Sequence, residues 1–368
     1  MWAIFEAVPE GGIRHRHQFG AFLLSSNCFD SVSTVAIMSE EQIHTVTETP
    51  VSVTADKTVR VFGPASLSNL GPGFDTLGLC IGGIGDIIEA RVVEAPGVRI
   101  STISGDGDRL PHSTLENTAA VAAQAVLDSV DASVGIELVI EKGIPLGSGI
   151  GGSAASAVAG AWATNLLLGC PVRRSELVTA VLDGEAGADG ARHGDNVLPA
   201  LFGGLVLVSS SNPTYYRRVE LAEHMSIALL LPRVEILTRE ARDILPERVS
   251  LADAIHNASQ VAFLVDALRT GDWPAAGDAI MQDRLVEPVR ARLLPCYQAV
   301  REAALGAGAY GCALSGSGPA MFAIVEDDDQ AGRVAQVMEE ASRELGTIAR
   351  GRAVEVDMRG VQRIDSES

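Results

Sequence analysis

An α+β fold is predicted, on three observations. Strand-like and helix-like segments are interspersed between residues 59 and 358 without the strict alternation that builds a doubly wound parallel sheet. Hydrophobic residues make up 47% of the 368-residue chain and charged residues 20%, which supplies a sizeable core. No apolar run approaches the roughly 20 residues that span a bilayer, and no internal repeat is visible. A chain of this length holds one or two domains.

The elements follow in order. Residues 1–55, with Arg14-His15-Arg16-His17 and then Ser/Thr-rich sequence, form a peripheral extension without the ordered parts of a signal peptide. Met38-Ser39-Glu40-Glu41 reads as a translation start, so residues 1–37 are expected to lie upstream of the native protein. Enriched or alternating β-branched residues predict strands over 59–62, 86–93, 98–103 and 134–140. Alanine and leucine content predicts helices over 117–129, 153–168 and 175–186. After Phe202-Gly203-Gly204 a second set begins, with strands at 205–208 and 227–231 and helices over 251–269, 274–284 and 296–305. Two short strands flank Ser315-Gly316-Ser317-Gly318-Pro319, a helix follows at 330–345, and a strand at 353–358 comes last. The expected organisation is therefore an extension (1–55), an N-terminal domain (56–204) and a C-terminal domain (205–368).

Charge excludes some functions. With 47 acidic against 28 basic residues, a formal net charge of −19 opposes nucleic-acid binding, which needs clustered cations to release counterions. Only Lys57 and Lys142 are lysines, and such an acidic, lysine-poor surface also suits high salt. Cys28, Cys80, Cys170, Cys296 and Cys312 are scattered, without the spacing of a zinc site or a disulfide framework. A reduced, cytoplasmic protein is expected, with no membrane partner.

The most informative stretch is Gly143-Ile144-Pro145-Leu146-Gly147-Ser148-Gly149-Ile150-Gly151-Gly152-Ser153. Its glycines let the backbone turn sharply and approach a ligand closely, and an alanine-rich helix follows at once. Free N–H groups at that helix start form an anion site, with phosphate the natural guest. Gly147, Gly149 and Gly152 satisfy G-x-G-x-x-G, but the glycines do not follow directly on a strand and no acidic-ended second strand comes after the helix. A Walker A loop fails for want of Gly-Lys-Ser/Thr.

A third kind of phosphate loop fits. The stretch resembles P-x-x-x-G-[LI]-G-S-S-A-A of the GHMP family of small-molecule kinases, matching at Pro145, Gly149, Ile150, Gly151, Ser153, Ala154 and Ala155, with Gly152 in place of the first serine. Two further family motifs occur in order: Pro64-Ala65-Ser66…Asn69-Leu70-Gly71-Pro72-Gly73-Phe74-Asp75 and Ser315-Gly316-Ser317-Gly318-Pro319. Within the family, His193-Gly194-Asp195-Asn196-Val197-Leu198-Pro199, Thr238-Arg239-Glu240-Ala241-Arg242 and Glu287-Pro288-Val289-Arg290 are similar to the H-x-D-N-x-x-P, T-x-x-A-R and E-P-x-R elements of members that act on an amino acid. The resemblance implies two lobes, the first like ribosomal protein S5 and the second ferredoxin-like, with the active site between them. It further implies ATP-dependent phosphorylation of the side-chain hydroxyl of L-homoserine, on the route to threonine, with Mg²⁺, by a homodimer.

Roles follow from chemistry laid over that resemblance. The loop from Pro145 through Leu146, Gly147, Ser148, Gly149, Ile150, Gly151 and Gly152 to Ser153 would hold phosphate. Ser153 and Glu185 would bind Mg²⁺, a hard cation that takes oxygen ligands. Arg242 and Arg290 suit a carboxylate, Asp75 an ammonium, and Asn69 and Asn196 a hydroxyl. His193 is expected to position the substrate, and Asn196 to orient the attacking hydroxyl without a general base. Asn117 would either face adenine or cap the following helix. Ser315, Gly316, Ser317 and Gly318 would close over the site, or simply permit a tight turn. Arg173-Arg174 and Arg217-Arg218 are read as solvated. A kinase for mevalonate or a sugar would not need an ammonium partner beside two carboxylate-binding arginines. A non-catalytic ATP-binding relative would be expected to lose metal or acceptor residues that are present here.

Overall fold

Two sheets organise the chain. The computed structural model describes residues 58–189, 192–222 and 225–364, side chains of 187–189 excepted; the extension over 1–55 and the start at Met38 lie outside them. The first lobe runs β1 (Thr58–Ser68), β2 (Leu77–Val93), β3 (Gly97–Ser104), α1 (Thr118–Ser129), β4 (Gly135–Glu141), α2 (Gly152–Leu167), α3 (Val178–Asp189), α4 (Gly194–Phe202), β5 (Leu205–Ser209) and β6 (Asn212–Val219). The second runs β7 (Ser226–Pro232), α5 (Thr238–Asp243), α6 (Leu251–Thr270), α7 (Trp273–Ile280), α8 (Glu287–Arg290), α9 (Tyr297–Gly306), β8 (Gly311–Leu314), β9 (Met321–Val325), α10 (Asp328–Glu344) and β10 (Ala349–Glu355). Strand β11 (Gln362–Ile364) then returns to the first sheet beside β1.

The first sheet has the order β11-β1-β2-β4-β3, with β5 and β6 branching from β2; the second has the order β10-β7-β9-β8. Among the described strands only β3 and β4 pair in parallel, across the crossover helix α1. The α+β class and the two-lobed arrangement therefore hold. The hydrogen bonds of β5 and β6 are to the first sheet, although both lie beyond residue 204.

Helix α2 explains why the glycine loop sits where it does. Its buried residues are nearly all small, among them Ala154, Ala155, Ala157, Ala159, Ala161 and Ala163, so it lies flush on β1 and β2. At Gly63 a Cβ would meet the Ala155 carbonyl oxygen at 2.2 Å, so glycine is required for this contact. A central apolar cluster then joins the lobes: Leu67, Leu79 and Ile81 of the first sheet pack with Ile227, Leu229 and Phe322 of the second and Leu264 of α6. The site lies at the rim of this shared core.

Several predicted elements differ in extent. Strand β2 begins nine residues before 86, because glycines at 78, 82, 83 and 85 erase the alternation by which a strand is read. The helix expected over 274–284 ends at Ile280. The arginine doublets are not simply solvated. Arg174 donates to the carbonyls of Arg359 and Val361, both at 3.0 Å, and stacks over Trp162, while Arg218 donates to the Met358 carbonyl. They anchor the segment leading into β11. Cys80, Cys170, Cys296 and Cys312 are free thiols.

Candidate active site

A cleft of about 790 Å³ runs along the rim of the core, with the glycine loop at one end and a cluster of charged side chains at the other. The loop connects β4 to α2, and Gly147, Gly149 and Gly151 all have positive φ (64°, 79° and 70°), conformations that side chains with a Cβ resist. Gly151 is the residue before α2, so the unpaired N–H groups of the helix open onto the cleft.

Beneath the loop lies an ion pair that the motifs do not announce. The Lys142 ammonium contacts the Asp86 carboxylate, and both side chains are almost wholly buried. Lys142 Nζ also donates to the Gly152 carbonyl and to Ser156 Oγ, each at 2.9 Å. Asp86 accepts from the backbone N–H groups of Gly143 and Ile144, both at 3.1 Å, and from Ser156 Oγ at 2.7 Å. The pair therefore grips both ends of the loop, its entry at 143–144 and its exit at 152. Nothing local in the sequence links Asp86 to Lys142, although Lys142 stands out as the one lysine among the described residues.

Ser153 Oγ donates to Glu185 Oε1 at 2.9 Å, which brings the two expected metal ligands together from α2 and α3. Asn117 is buried and spends its side chain internally. It accepts from the Ala119 N–H at 3.1 Å as the N-cap of α1 and donates to the Pro111 carbonyl at 3.1 Å. The cap reading is realised, and the residue also lines the cleft.

At the other end, residues from five places converge. Asn69 and Asp75, on the β1–β2 loop, both take positive φ (69° and 56°), conformations that non-glycine residues adopt at an energetic cost and that cluster at functional sites. Arg242 of α5 forms a two-pronged ion pair with Asp75, NH1 to Oδ2 at 3.0 Å and NH2 to Oδ1 at 2.9 Å. Asp75 and Arg242, expected at opposite ends of a substrate, hold each other here. Arg242 NH2 also lies 2.8 Å from His193 Nε2. Guanidinium only donates, so this imidazole nitrogen is the acceptor, and its lone pair is engaged. That geometry favours positioning over proton abstraction for His193.

Arg290, buried on α8, donates from Nε to the Ala241 carbonyl at 3.1 Å and from NH1 to the Gly316 carbonyl at 2.8 Å. Burial, with the charge of Arg242 second, draws its pKa down to about 10. Asn196, in the first turn of α4, accepts from Ser66 Oγ at 3.0 Å and donates to Ser68 Oγ at 3.1 Å. One amide proton and one lone pair remain for a substrate hydroxyl. Asp195 beside it is fully buried, and burial together with the charge of Asp75 raises its pKa to about 6.

The 315–318 loop ties the two ends. Ser315 Oγ donates to the Gly149 carbonyl at 2.7 Å, and the Gly316 N–H donates to the Ser68 carbonyl at 3.1 Å. The Gly316 carbonyl accepts from both Asn69 and Arg290. Ser317 also lines the cleft, and the Gly318 N–H closes a turn onto the Ser315 carbonyl at 2.8 Å.

Residues 117–204 match the GHMP kinases N terminal domain and residues 264–344 the GHMP kinases C terminal region. Homoserine kinase of Pyrococcus abyssi is 40% identical over 288 residues, which span 78% of this chain and 93% of that protein. The chain belongs to the GHMP kinases. Homoserine kinase of Arabidopsis thaliana is 37% identical over 294 residues, 78% of this chain and 79% of the plant protein. The crystal structure of homoserine kinase from Cytophaga hutchinsonii aligns with a TM-score of 0.82 at 37% identity, covering 84% of this chain and 98% of that one. Within the family, the chain stands with the homoserine kinases. L. major mevalonate kinase, at 16% identity and a TM-score of 0.65, shares the fold.

Proposed function

We infer that this enzyme is a homoserine kinase, which transfers the γ-phosphoryl group of ATP to the side-chain hydroxyl of L-homoserine. One observation carries the reading: a single cleft joins a backbone anion site to a cluster with the charges an amino acid needs. Transfer of this kind depends on placing the hydroxyl in line with the γ-phosphorus and on neutralising phosphate charge. The hydroxyl oxygen bonds to phosphorus, the bond to the β-phosphate breaks, ADP departs and the hydroxyl proton is released.

The residues divide the work. Loop amides from Gly147 to Ser153 receive the phosphates, and the Asp86–Lys142 pair fixes the loop beneath them. Ser153 and Glu185 would hold Mg²⁺, since a hydroxyl and a buried carboxylate at 2.9 Å form a hard-oxygen donor set beside the phosphate site. When bound, that ion neutralises phosphate charge. Arg290 and Arg242 take the substrate carboxylate, Asp75 its ammonium, and Asn196 aligns the hydroxyl with Asn69 and His193 supporting it.

The test is ADP release with ATP and Mg²⁺, comparing L-homoserine with mevalonate, galactose, L-serine and L-threonine at low and high KCl. Turnover selective for L-homoserine is expected; equal turnover of mevalonate or galactose would overturn the reading. A homodimer in the cytoplasm completes the proposal. No described helix is long and apolar enough to cross a membrane, and light scattering tests the dimer.

A further inference from the structure

Next to Asp75 stands an aromatic ring that is not among the residues lining the cleft. Phe74 immediately precedes Asp75 on the β1–β2 loop. The guanidinium carbons of Arg242 and Arg290 lie 5.1 and 5.0 Å from its ring centroid, both within cation–π range. The two cations come from the second lobe, on α5 and α8, and the ring from the first. Arg242, Arg290 and Asp75 line the cleft, and Phe74 does not.

Two guanidinium groups brought to one pocket repel each other, and something must hold them there. Asp75 does so for Arg242 through its fork. Arg290 has no carboxylate within salt-bridge distance among the described residues; its hydrogen bonds go to backbone carbonyls. A carboxylate beside Arg290 would attract it but would also neutralise it and compete with an incoming anion. The face of an aromatic ring carries the negative part of a quadrupole and no net charge, so it attracts a cation without discharging it.

We propose that Phe74 is a positioning residue for carboxylate recognition: its ring holds the Arg290 guanidinium beside the Asp75-paired Arg242 at the acceptor end and leaves the Arg290 charge available to the carboxylate of the amino-acid substrate. The proposal rests on the assignment of those arginines to the substrate carboxylate. It makes acceptor specificity depend on a side chain outside the cleft lining.

The deciding experiment reverses the quadrupole while nearly keeping the shape, by incorporating pentafluorophenylalanine at position 74. Phe74→Leu and Phe74→Trp accompany it, and all are measured beside Arg290→Ala. The pentafluoro and leucine variants are expected to raise KM for L-homoserine about 3- to 30-fold, with KM for ATP within about twofold and kcat changing less than KM. Phe74→Trp, which keeps a π face, should stay closer to the native KM than Phe74→Leu. If Arg290→Ala raises KM for L-homoserine and the pentafluoro variant does not, the role of Phe74 is overturned and the carboxylate assignment stands. If neither raises it, the assignment itself falls and the proposal with it. A pentafluoro variant that weakens ATP and L-homoserine equally, or lowers Tm in step with activity, would reduce Phe74 to a structural residue.

Discussion

The two ends of the cleft are built on opposite plans. At the phosphate end the ligand-facing groups are backbone amides, and the charged side chains, Asp86 and Lys142, are buried beneath them as a closed pair. At the acceptor end the ligand-facing groups are side chains, and their charges satisfy one another across the opening: Asp75 on Arg242, Arg242 on His193, and two cations on one ring. A phosphate loop binds a group that every nucleoside triphosphate carries, so a rigid, pre-formed cradle suffices. On the proposed function an amino acid must be distinguished from other small alcohols, and charges that exchange an internal partner for the substrate would do so.

The largest expected effect tests the rigid end. Removing one member of a buried ion pair strands the other, a loss of about 3–5 kcal/mol. Lys142→Met or Asp86→Asn should lower stability by that order in urea unfolding. The double variant Lys142→Met/Asp86→Leu should recover part of the stability, because apolar replacement of both charges is tolerated. ATP affinity should stay low in the double variant, since Asp86 also holds the Gly143 and Ile144 amides. Full recovery of ATP binding would show that the pair does not shape the loop.

The acceptor end is tested by Arg290→Ala. Loss of a buried, charge-assisted partner costs about 2–5 kcal/mol, part of it from the charge left behind. The effect should fall on kcat/KM for L-homoserine, measured with ATP saturating, and leave KM for ATP nearly unchanged. Equal losses for both substrates would erase the contrast between the two ends.

How much of this contrast could be read from the sequence follows from how local each part is. The glycine loop was legible because one contiguous run supplies its turns, its amides and its helix start. Asp75, Arg242 and Arg290 were legible as charged residues in motifs, but the pairing of Asp75 with Arg242 was not, because the two lie 167 residues apart and α5 and α8 are too short to leave a periodic pattern. Asp86 and Lys142 escaped because one lies on a strand, the other just beyond another, and only the antiparallel pairing of β2 with β4 brings them together. Asn117 was the reverse case: a single residue fits two roles in sequence, and only geometry chooses the cap.

A third test concerns what holds Arg290. Glu287, one turn earlier on α8, accepts through Oε1 from Tyr297 Oη at 2.5 Å and from the Leu314 N–H at 3.2 Å, so it ties α8 to the strand that leads into the 315–318 loop. Burial raises its carboxyl pKa from 4.5 to about 7, against the hydrogen bonds from Tyr297 and Leu314 and the charge of Arg301, and with the charge of Asp283. An acid raised in the folded state binds more protons folded than unfolded between the two values, so its contribution makes stability fall as pH rises from about 4.5 to 7. The total is of the order of 3 kcal/mol at most. Glu287→Gln keeps an oxygen acceptor but cannot ionise, and its stability relative to the native enzyme should therefore increase through this window and level off above it. A stability difference independent of pH would show that Glu287 ionises in the folded protein as it does in the unfolded chain, so that burial does not raise its pKa.

The smallest expected effect returns to the loop. Gly152 stands where the family pattern has serine, and unlike Gly147, Gly149 and Gly151 it does not have positive φ. A Cβ there would come 3.1 Å from Ile144 Cγ2 and 3.5 Å from Ile144 Cβ, with Lys142 Nζ at 3.8 Å, a tight fit that a shift of a few tenths of an ångström relieves. Gly152→Ser should therefore fold, keep the backbone amide and add a hydroxyl at the helix start, where hydrogen bonds to charged groups contribute about 1.5–3 kcal/mol if well aligned. The contact with Ile144 offsets part of this, so ATP binding measured by calorimetry should tighten modestly or remain unchanged. Collapse of binding would mean that the buried floor of the loop cannot yield even this far, and that its rigidity extends from the glycines of positive φ to the first residue of α2.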